Sequence, residues 1–193
     1  MLSLKESLKI LKETSALIEG HFILSSGLHS SKYVQCAQLM SKPHKANKIC
    51  VSLAEKIKKE FPKFDLILSP AMGGVIIGYE IGKLLKKETI FSERVNSVFK
   101  LRRDFKIKKH SKVLIIEDVI TTGKSSLECS KLITSNNGSI VGYACIIDRS
   151  NGKSKIKKKI VSQVQLNIPT FAEDHIPNEL SSIKPVKPGS RNL

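Results

Sequence analysis

Two adjacent carboxylates, Glu117 and Asp118, directly follow an apolar run at residues 113–116. A turn rich in Thr, Gly and Ser comes next and leads into a helical pattern. This order predicts a buried parallel strand, a loop and a helix, and ligands of open α/β sheets bind at the carboxyl ends of such strands. The loop favours phosphate, because it offers hydroxyls, backbone N–H groups and the positive end of a helix dipole. The carboxylates repel phosphate and fit ribose hydroxyls instead, or hydroxyls shared with a magnesium ion.

Two other interpretations fit part of this stretch. Gly123-Lys124-Ser125 imitates the end of a Walker phosphate-binding loop, but Asp118 stands five residues before Gly123, where that motif has Gly. The stretch would also suit an ordinary strand-to-helix turn in which Asp118 caps the helix. The length of the pattern and its context favour a site for a phosphorylated ribose.

The stretch at residues 112–125 resembles the phosphoribosyl pyrophosphate (PRPP) motif of the type I phosphoribosyltransferases, which has an apolar strand, two acidic residues and a Thr/Gly-rich phosphate loop. The resemblance implies that the stretch binds PRPP and that the cofactor, Mg²⁺, is held mainly through PRPP near Asp118. It also implies that Glu117 and Asp118 act in catalysis from beneath the ribose. The predicted PRPP-binding residues of this stretch are Glu117, Asp118, Val119, Ile120, Thr121, Thr122, Gly123, Lys124 and Ser125.

A second strand pattern, at residues 65–69, runs into Gly73-Gly74 and another helix. Glycines at a strand-to-helix turn make a further anion site, although tight packing would explain them equally well. In position this turn resembles the pyrophosphate loop of the phosphoribosyltransferases, so Met72 and Gly73 are also predicted to bind PRPP. Some relatives carry Lys where Gly73 stands, so backbone N–H groups or a residue from elsewhere would bind the pyrophosphate here.

Residues 22–33 follow the pattern Phe-x-Leu-x-Ser-Gly-x-x-Ser-x-x-Tyr, which predicts two short strands around a Ser/Gly turn. The pattern resembles the N-terminal signature of orotate phosphoribosyltransferases, in which this segment forms a hood over the base. The implied hood spans residues 20–36 plus the C-terminal segment. Arg149 ends a predicted strand at residues 140–149, where that family has an Arg that binds the orotate carboxylate. The implied orotate-binding residues are Thr121, Arg149, Ser25, Ser26 and Gly27, and some relatives have Lys in place of Ser25.

Seven basic residues lie in the segment 93–109 and alternate with apolar ones, which predicts a hairpin that is cationic on one side. A merely solvated hairpin is the alternative. By position the segment resembles the mobile catalytic loop of the family, in its Glu-Arg…Leu-Arg-Arg version, and Arg94 is the predicted catalytic cation. We expect the loop to close over PRPP, because its cations repel one another when no anion is bound. The resemblance further implies a homodimer in which the loop reaches the neighbouring site.

The chain has 193 residues, of which 40% are hydrophobic, and this is enough for one globular domain. No apolar run is long enough to span a membrane and no signal peptide is evident, so a cytoplasmic protein without a membrane partner is expected. Four cysteines without a C-x-x-C pair suit buried reduced thiols. The net charge of +16 would suit nucleic-acid binding, but 28 of the 33 basic residues are Lys, spread along the chain. No nucleic-acid partner is therefore expected.

The predicted fold is one α/β domain over residues 1–193: a type I phosphoribosyltransferase fold with a parallel, Rossmann-like sheet, flanking helices and a small N-terminal hood. Its first helix is expected to start at a Ser3–Glu6 capping box and to end near Gly20. The resemblance implies the activity of an orotate phosphoribosyltransferase, which makes orotidine 5′-monophosphate and pyrophosphate from PRPP and orotate in pyrimidine biosynthesis. The alternatives are a purine or uracil phosphoribosyltransferase, and a PRPP-sensing regulator that binds nucleic acid.

Overall fold

The computed structural model describes residues 1–24 and 26–188. Its helices are α1 (Leu4–Glu13), α2 (Cys36–Met40), α3 (Pro43–Glu60), α4 (Gly73–Leu85), α5 (Lys124–Ser135) and α6 (Asn178–Ser181), with a 3₁₀ helix at Glu173–His175. Its strands are β1 (Leu17–Ile23), β2 (His29–Val34), β3 (Leu66–Pro70), β4 (Glu88–Val95), β5 (Val98–Leu101), β6 (Lys112–Ile120), β7 (Ser139–Asp148), β8 (Ile160–Gln165) and β9 (Thr170–Phe171).

The larger sheet has six strands in the order β5-β4-β3-β6-β7-β8. Neighbouring strands are parallel except β4 and β5, which form an antiparallel hairpin. Side chains of β6 alternate between two cores, because successive residues of a strand point to opposite faces. Leu114 and Ile116 pack in the core that contains α3 and α4, whereas Val113 and Ile115 pack in the core that contains α5. The predicted α/β fold, with helices on both faces of a mainly parallel sheet, is therefore confirmed.

The smaller sheet has three antiparallel strands in the order β1-β2-β9. The C-terminal segment joins it, since the Val186 N–H donates to the His21 carbonyl and the Val186 carbonyl accepts the Ile23 N–H, both at 2.9 Å. This sheet lies near the carboxyl end of β6, because Cys36, two residues after β2, has its Sγ 3.9 Å from the Asp118 carbonyl oxygen. The hairpin predicted in residues 22–33 is thus present beside the predicted PRPP motif.

The N-terminal helix differs from the prediction. Its capping box is present, with Ser3 Oγ accepting the Glu6 N–H and the Glu6 carboxylate accepting the Ser3 N–H. The helix ends at Glu13 rather than near Gly20, because Ser15 adopts a left-handed backbone conformation with φ of 59°. The residues that follow enter β1 and pair with β2, so the pairing of strands overrides the helical spacing of the apolar residues.

Candidate functional site

Strand β6, the loop after it and the start of α5 form one concave pocket of about 140 Å³. The strand extends to Ile120, four residues beyond the apolar run, because it continues to pair with β7 up to Asp148. Both carboxylates therefore lie within the strand rather than in the loop. The pocket brings together most of the predicted PRPP-binding stretch, namely Glu117, Val119, Ile120, Thr121, Thr122, Gly123, Lys124 and Ser125. The Ile120 side chain is buried in the core, so its backbone is the part that is available to a ligand.

The loop between β6 and α5 has a shape that suits an anion. Gly123 has a φ of +76°, and a Cβ at this position would lie 2.8 Å from Ile156 Cδ1. Thr122 fixes the turn, since its Oγ1 accepts the Lys124 N–H at 3.3 Å and its carbonyl accepts the Lys155 N–H at 3.4 Å. The first N–H groups of α5 have no partner within the helix, and they form the positive end of its dipole. The arrangement can bind a phosphate group.

The carboxylate of Glu117 is half-buried and tied to α5. Ser126 Oγ donates to Glu117 Oε2 at 2.6 Å. Burial raises the pKa of Glu117 to about 7, although the Ser126 hydrogen bond opposes the rise. The negative charges of Asp118 and Glu128 raise the pKa of Glu117 further, whereas the positive charge of Arg94 lowers it. Glu117 is therefore a carboxylate whose charge changes near neutral pH.

Asp118 lies on the other side of the strand, against the turn that follows β3. Burial raises its pKa as well, and a hydrogen bond from the Val119 N–H to Oδ1, at 2.8 Å, opposes that rise. Gly73 is directly adjacent, since a Cβ at this position would lie 2.7 Å from Asp118 Oδ2. The structure thus brings the predicted pyrophosphate turn to the predicted ribose carboxylate. Met72 is 84% exposed and does not line the pocket described above, and the Ala71–Met72 peptide bond is cis.

The segment 93–109 begins as the predicted hairpin, formed by the end of β4 and by β5. Arg94 donates to Glu128 Oε2 at 2.6 Å and to the Ser97 carbonyl at 2.7 Å, and its guanidinium carbon lies 4.0 Å from the Phe99 ring centroid. Its charge acts on Glu117, which lies nearby in the same chain. The predicted catalytic cation is therefore tied to α5 through Glu128 and lies near Glu117.

Two further arginines of this segment share one acidic partner. Arg102 Nη1 donates to Glu93 Oε2 at 3.0 Å, and Arg103 Nε donates to Glu93 Oε1 at 2.6 Å. Both guanidinium side chains are more than half exposed, so these ion pairs are weak and solvent-accessible. Glu93 thereby offsets the mutual repulsion of the cations in the structure without ligand.

The predicted orotate-binding residues are not all brought to the pocket. Arg149 follows β7, its N–H donates to the Ile120 carbonyl at 2.9 Å, and it therefore lies at the carboxyl end of the sheet beside the PRPP stretch. Burial lowers the pKa of its guanidinium, which has no hydrogen bond or ion pair with any of residues 1–24 and 26–188. Ser26 and Gly27 are exposed on the turn between β1 and β2 and do not line the pocket. Thr121 lines it, and Ser25 lies outside the described residues.

Comparison with known proteins gives the family. Residues 39–181 match the phosphoribosyl transferase domain. The chain is 43% identical over 189 residues to the orotate phosphoribosyltransferase of Parvibaculum lavamentivorans, covering 96% of this chain and 97% of that protein. It is 42% identical to the enzyme of the same name from Erythrobacter litoralis, over 97% of both chains. The chain belongs to the orotate phosphoribosyltransferase family.

Solved structures show the fold of this family. An orotate phosphoribosyltransferase from Aeropyrum pernix matches with a TM-score of 0.72 and 23% identity, over 82% of this chain and 92% of that one. The protein of the same name from Francisella tularensis matches with a TM-score of 0.66 and 21% identity, over 86% of this chain and 84% of that one. The predicted type I phosphoribosyltransferase fold is confirmed. In the described part of the chain, no helix is long and apolar enough to cross a membrane.

Three residues near this phosphoribosyltransferase site were missed by sequence reasoning: Ser126, Glu128 and Glu93. Ser126 follows directly on the predicted phosphate loop, so its place at the start of α5 was the available signal. Glu128 and Glu93 had a weaker signal, because their partners are distant in sequence and lie on other elements. Glu128 pairs with Arg94, 34 residues away, and Glu93 pairs with Arg102 and Arg103, 9 and 10 residues away. Ion pairs of this kind depend on the tertiary fold and not on a local spacing.

Proposed function

We propose that this chain transfers the 5-phosphoribosyl group of PRPP to orotate, with release of pyrophosphate, as its relatives' name describes. The observation that supports this most strongly is the single pocket that joins Glu117 to the loop at residues 121–125. A phosphate-binding helix start and a carboxylate acceptor, set side by side, suit a phosphorylated ribose. The product with orotate is orotidine 5′-monophosphate, which places the chain in pyrimidine biosynthesis.

In this proposal the parts of PRPP are divided among the loop after β6, the end of β6 itself and the turn after β3. Residues 121–125 hold the 5′-phosphate through hydroxyls and the free N–H groups of α5. Glu117 and Asp118 accept hydrogen bonds from the ribose hydroxyls. The backbone at Met72 and Gly73 meets the pyrophosphate, and the contact between Gly73 and Asp118 supports that placement. Because Gly73 has no side chain, the Asp118 carboxylate can pack directly against the start of α4.

The residues present fit Mg²⁺ as the cofactor when PRPP supplies most of its ligands. Residues 1–24 and 26–188 contain no group of three or more His, Cys, Asp or Glu that could hold a metal ion. Mg²⁺ suits sites with few carboxylates and several substrate phosphate oxygens. Mg²⁺ would be held mainly through PRPP, near Asp118. When bound, it neutralises negative charge on the leaving pyrophosphate.

The chain's own residues then account for the remaining steps. As the bond from ribose C1 to pyrophosphate breaks, positive charge develops on the ribose ring. The carboxylates of Glu117 and Asp118 stabilise that charge, and their low-dielectric setting strengthens the effect. Arg94 lies near Glu117 and can offset charge on the departing anion. Orotate is already an anion, so it requires orientation rather than activation.

For the base, we propose that Arg149 holds the orotate carboxylate. A half-buried guanidinium with no ion pair among the described residues is suited to a planar carboxylate, which it can bind through two parallel hydrogen bonds. The turn with Ser25, Ser26 and Gly27 would form the hood, together with the C-terminal segment that pairs with β1.

We propose a homodimer as the working form. Met72, Ile76 and Tyr79 form an apolar stripe at the start of α4 and are 84%, 57% and 67% exposed. Exposed apolar groups at helical spacing suit a subunit interface, and this one adjoins the active site. The side chains of Arg102 and Arg103 are 59% and 61% exposed, against 39% for Arg94, so these two are the residues we expect to reach a neighbouring site. The four free cysteines suit a reducing cytoplasm.

The proposal is tested by a spectrophotometric assay with orotate, uracil, hypoxanthine and xanthine, each with PRPP and Mg²⁺. We expect turnover with orotate alone. Turnover with a purine or uracil but not orotate would overturn the substrate assignment and leave the transferase assignment intact. A chain that binds PRPP, turns over no base and binds nucleic acid with a steep salt dependence would instead be a regulator.

A further inference from the structure

Ser126 lies third in helix α5 and makes a hydrogen bond that a helical serine does not ordinarily make. Its side chain is fully buried, and its Oγ donates to Glu117 Oε2 at 2.6 Å. Serines within helices commonly donate to a carbonyl of the preceding turn. In this same helix, Ser130, Thr134 and Ser135 all donate to such backbone carbonyls. Ser126 instead joins the helix to strand β6.

The hydrogen bond makes the two oxygens of the Glu117 carboxylate different in their surroundings. Oε2 is engaged by Ser126. Oε1 accepts no hydrogen bond from the described residues, and Glu117 lines the pocket that begins at the end of β6. A carboxylate with one oxygen fixed by a buried donor has lost the rotational freedom of its last torsion. It presents the other oxygen in one place, which lowers the entropic cost of binding a ligand hydroxyl.

The Ser126 hydroxyl supplies the Glu117 carboxylate with a hydrogen bond that its other neighbours do not supply. The other titratable or charged groups near Glu117 are Asp118, on the opposite face of β6, and Arg94, Glu128, Cys129 and Cys145, on β4, α5 and β7. None of them donates a hydrogen bond to its carboxylate within the described part of the chain. A buried carboxylate without a donor is costly, so Ser126 has a part in keeping Glu117 in a single conformation.

We propose that Ser126 is a positioning residue: it holds Glu117 Oε2 so that Oε1 is left for a ribose hydroxyl of PRPP. The inference rests on the proposed function only in taking PRPP as the ligand, and it does not depend on which base accepts the ribosyl group. Ser126 itself touches no substrate in this account. Its effect must therefore pass through Glu117, and that requirement can be measured.

The main test is a double-mutant cycle on PRPP affinity, measured by calorimetry with Mg²⁺. We expect Ser126→Ala to weaken PRPP binding about tenfold, since hydrogen bonds to charged groups are among the stronger ones. In a Glu117→Ala background, which removes both oxygens of the side chain, the same change should weaken binding less than twofold. Equal losses in both backgrounds would overturn the proposal, because Ser126 would then act through packing of the helix.

Ser130→Ala and Ser126→Thr serve as controls for the effect of Ser126→Ala. Ser130→Ala removes a hydroxyl of the same helix that donates to the Leu127 carbonyl, and it should leave PRPP affinity within twofold. Ser126→Thr keeps the hydroxyl and should restore most of the affinity. If Ser126→Ala does not fold, Ser126→Cys carries the same test, because a thiol is of similar size and donates weakly. Wild-type affinity in Ser126→Cys would contradict the proposal.

Steady-state kinetics separate this inference from the proposed function. With the base that the wild-type protein turns over, Ser126→Ala should raise KM for PRPP about tenfold and leave KM for the base nearly unchanged. Failure of orotate as a substrate in the wild-type assay would refute the proposed base and leave the calorimetric cycle standing. A change in KM for the base, with PRPP affinity unaltered, would refute the inference alone.

Discussion

Replacing Gly73 by Ala should reduce activity without reducing stability. The added Cβ would lie 2.7 Å from Asp118 Oδ2 and 2.8 Å from Oδ1. Ordinary van der Waals contact begins at 3.4 Å, so the carboxylate would have to retreat by 0.7 Å. It cannot rotate freely, because its Oδ1 accepts the Val119 N–H. A displacement of this size in a group that stabilises the transition state should lower kcat on the order of 10- to 100-fold.

The stability of Gly73→Ala should change much less than its activity. Gly73 is the first residue of α4, is exposed, and has no left-handed backbone conformation that only Gly would tolerate. Ala is favoured over Gly in helices by roughly 0.5–1 kcal/mol, and this gain offsets part of the cost of crowding Asp118, so the midpoint of thermal unfolding should change little. Loss of activity together with unfolding would mean that the added methyl group disrupts the turn as a whole.

Gly152→Ala is the reciprocal control. Its φ is +71° and no atom lies within 4 Å of the added Cβ, so the substitution is strained but not crowded. It should lower the thermal midpoint and leave kcat within about twofold. The assay is turnover of orotate with PRPP and Mg²⁺, with circular dichroism to follow unfolding. Gly73→Ala activity within about threefold of wild type would refute the reasoning, because Asp118 would then tolerate displacement.

Four other outcomes are expected. Because burial raises the pKa of Glu117 to about 7 and the ionised form accepts ribose hydroxyls, kcat/KM for PRPP should fall as pH decreases below about 7; Glu117→Gln should remove that dependence, and its persistence would exclude Glu117 as the cause. Asp118→Asn should lower kcat on the order of 10²-fold or more with little loss of PRPP affinity, and kcat within about threefold of wild type would remove Asp118 from the mechanism. Arg149→Ala should raise KM for orotate about tenfold or more, whereas a matching rise in KM for PRPP would make Arg149 a phosphate ligand. Tryptic cleavage within residues 93–109 should slow when PRPP and Mg²⁺ are added, and equal cleavage in both conditions would contradict loop closure.

The fold was predictable because each of its main units carries a local signal. Strand-turn-helix patterns at residues 65–85 and 113–135 both appear as strands β3 and β6 followed by α4 and α5. Pro43 begins α3, where the fixed φ of proline suits a first helical turn. The end of α1 was not predictable by this route, since β1 exists only through its pairing with β2. Apolar spacing alone does not distinguish the two outcomes over so few residues.

The site was predictable as a stretch of sequence but not as an arrangement of contacts. The loop at residues 121–125 is contiguous, so its motif and its pocket coincide. The adjacency of Gly73 and Asp118 joins positions 45 residues apart and depends on the parallel pairing of β3 with β6. The single carboxylate of Glu93 that serves both Arg102 and Arg103 likewise follows from the turn of the hairpin. Such contacts need the register of the sheet, which local patterns do not give.

The alternation of β6 explains why its two carboxylates differ although they are neighbours in sequence. Glu117 continues the face of Val113 and Ile115, which packs against α5, and it is held there by Ser126. Asp118 continues the face of Ile116, which packs in the core with α4, and there it meets Gly73. One helix start thus fixes each carboxylate, and the same two helix starts are the proposed sites for the 5′-phosphate and the pyrophosphate. The ribose between these phosphates would then lie across the end of β6, where both acids can reach it from opposite faces of one strand.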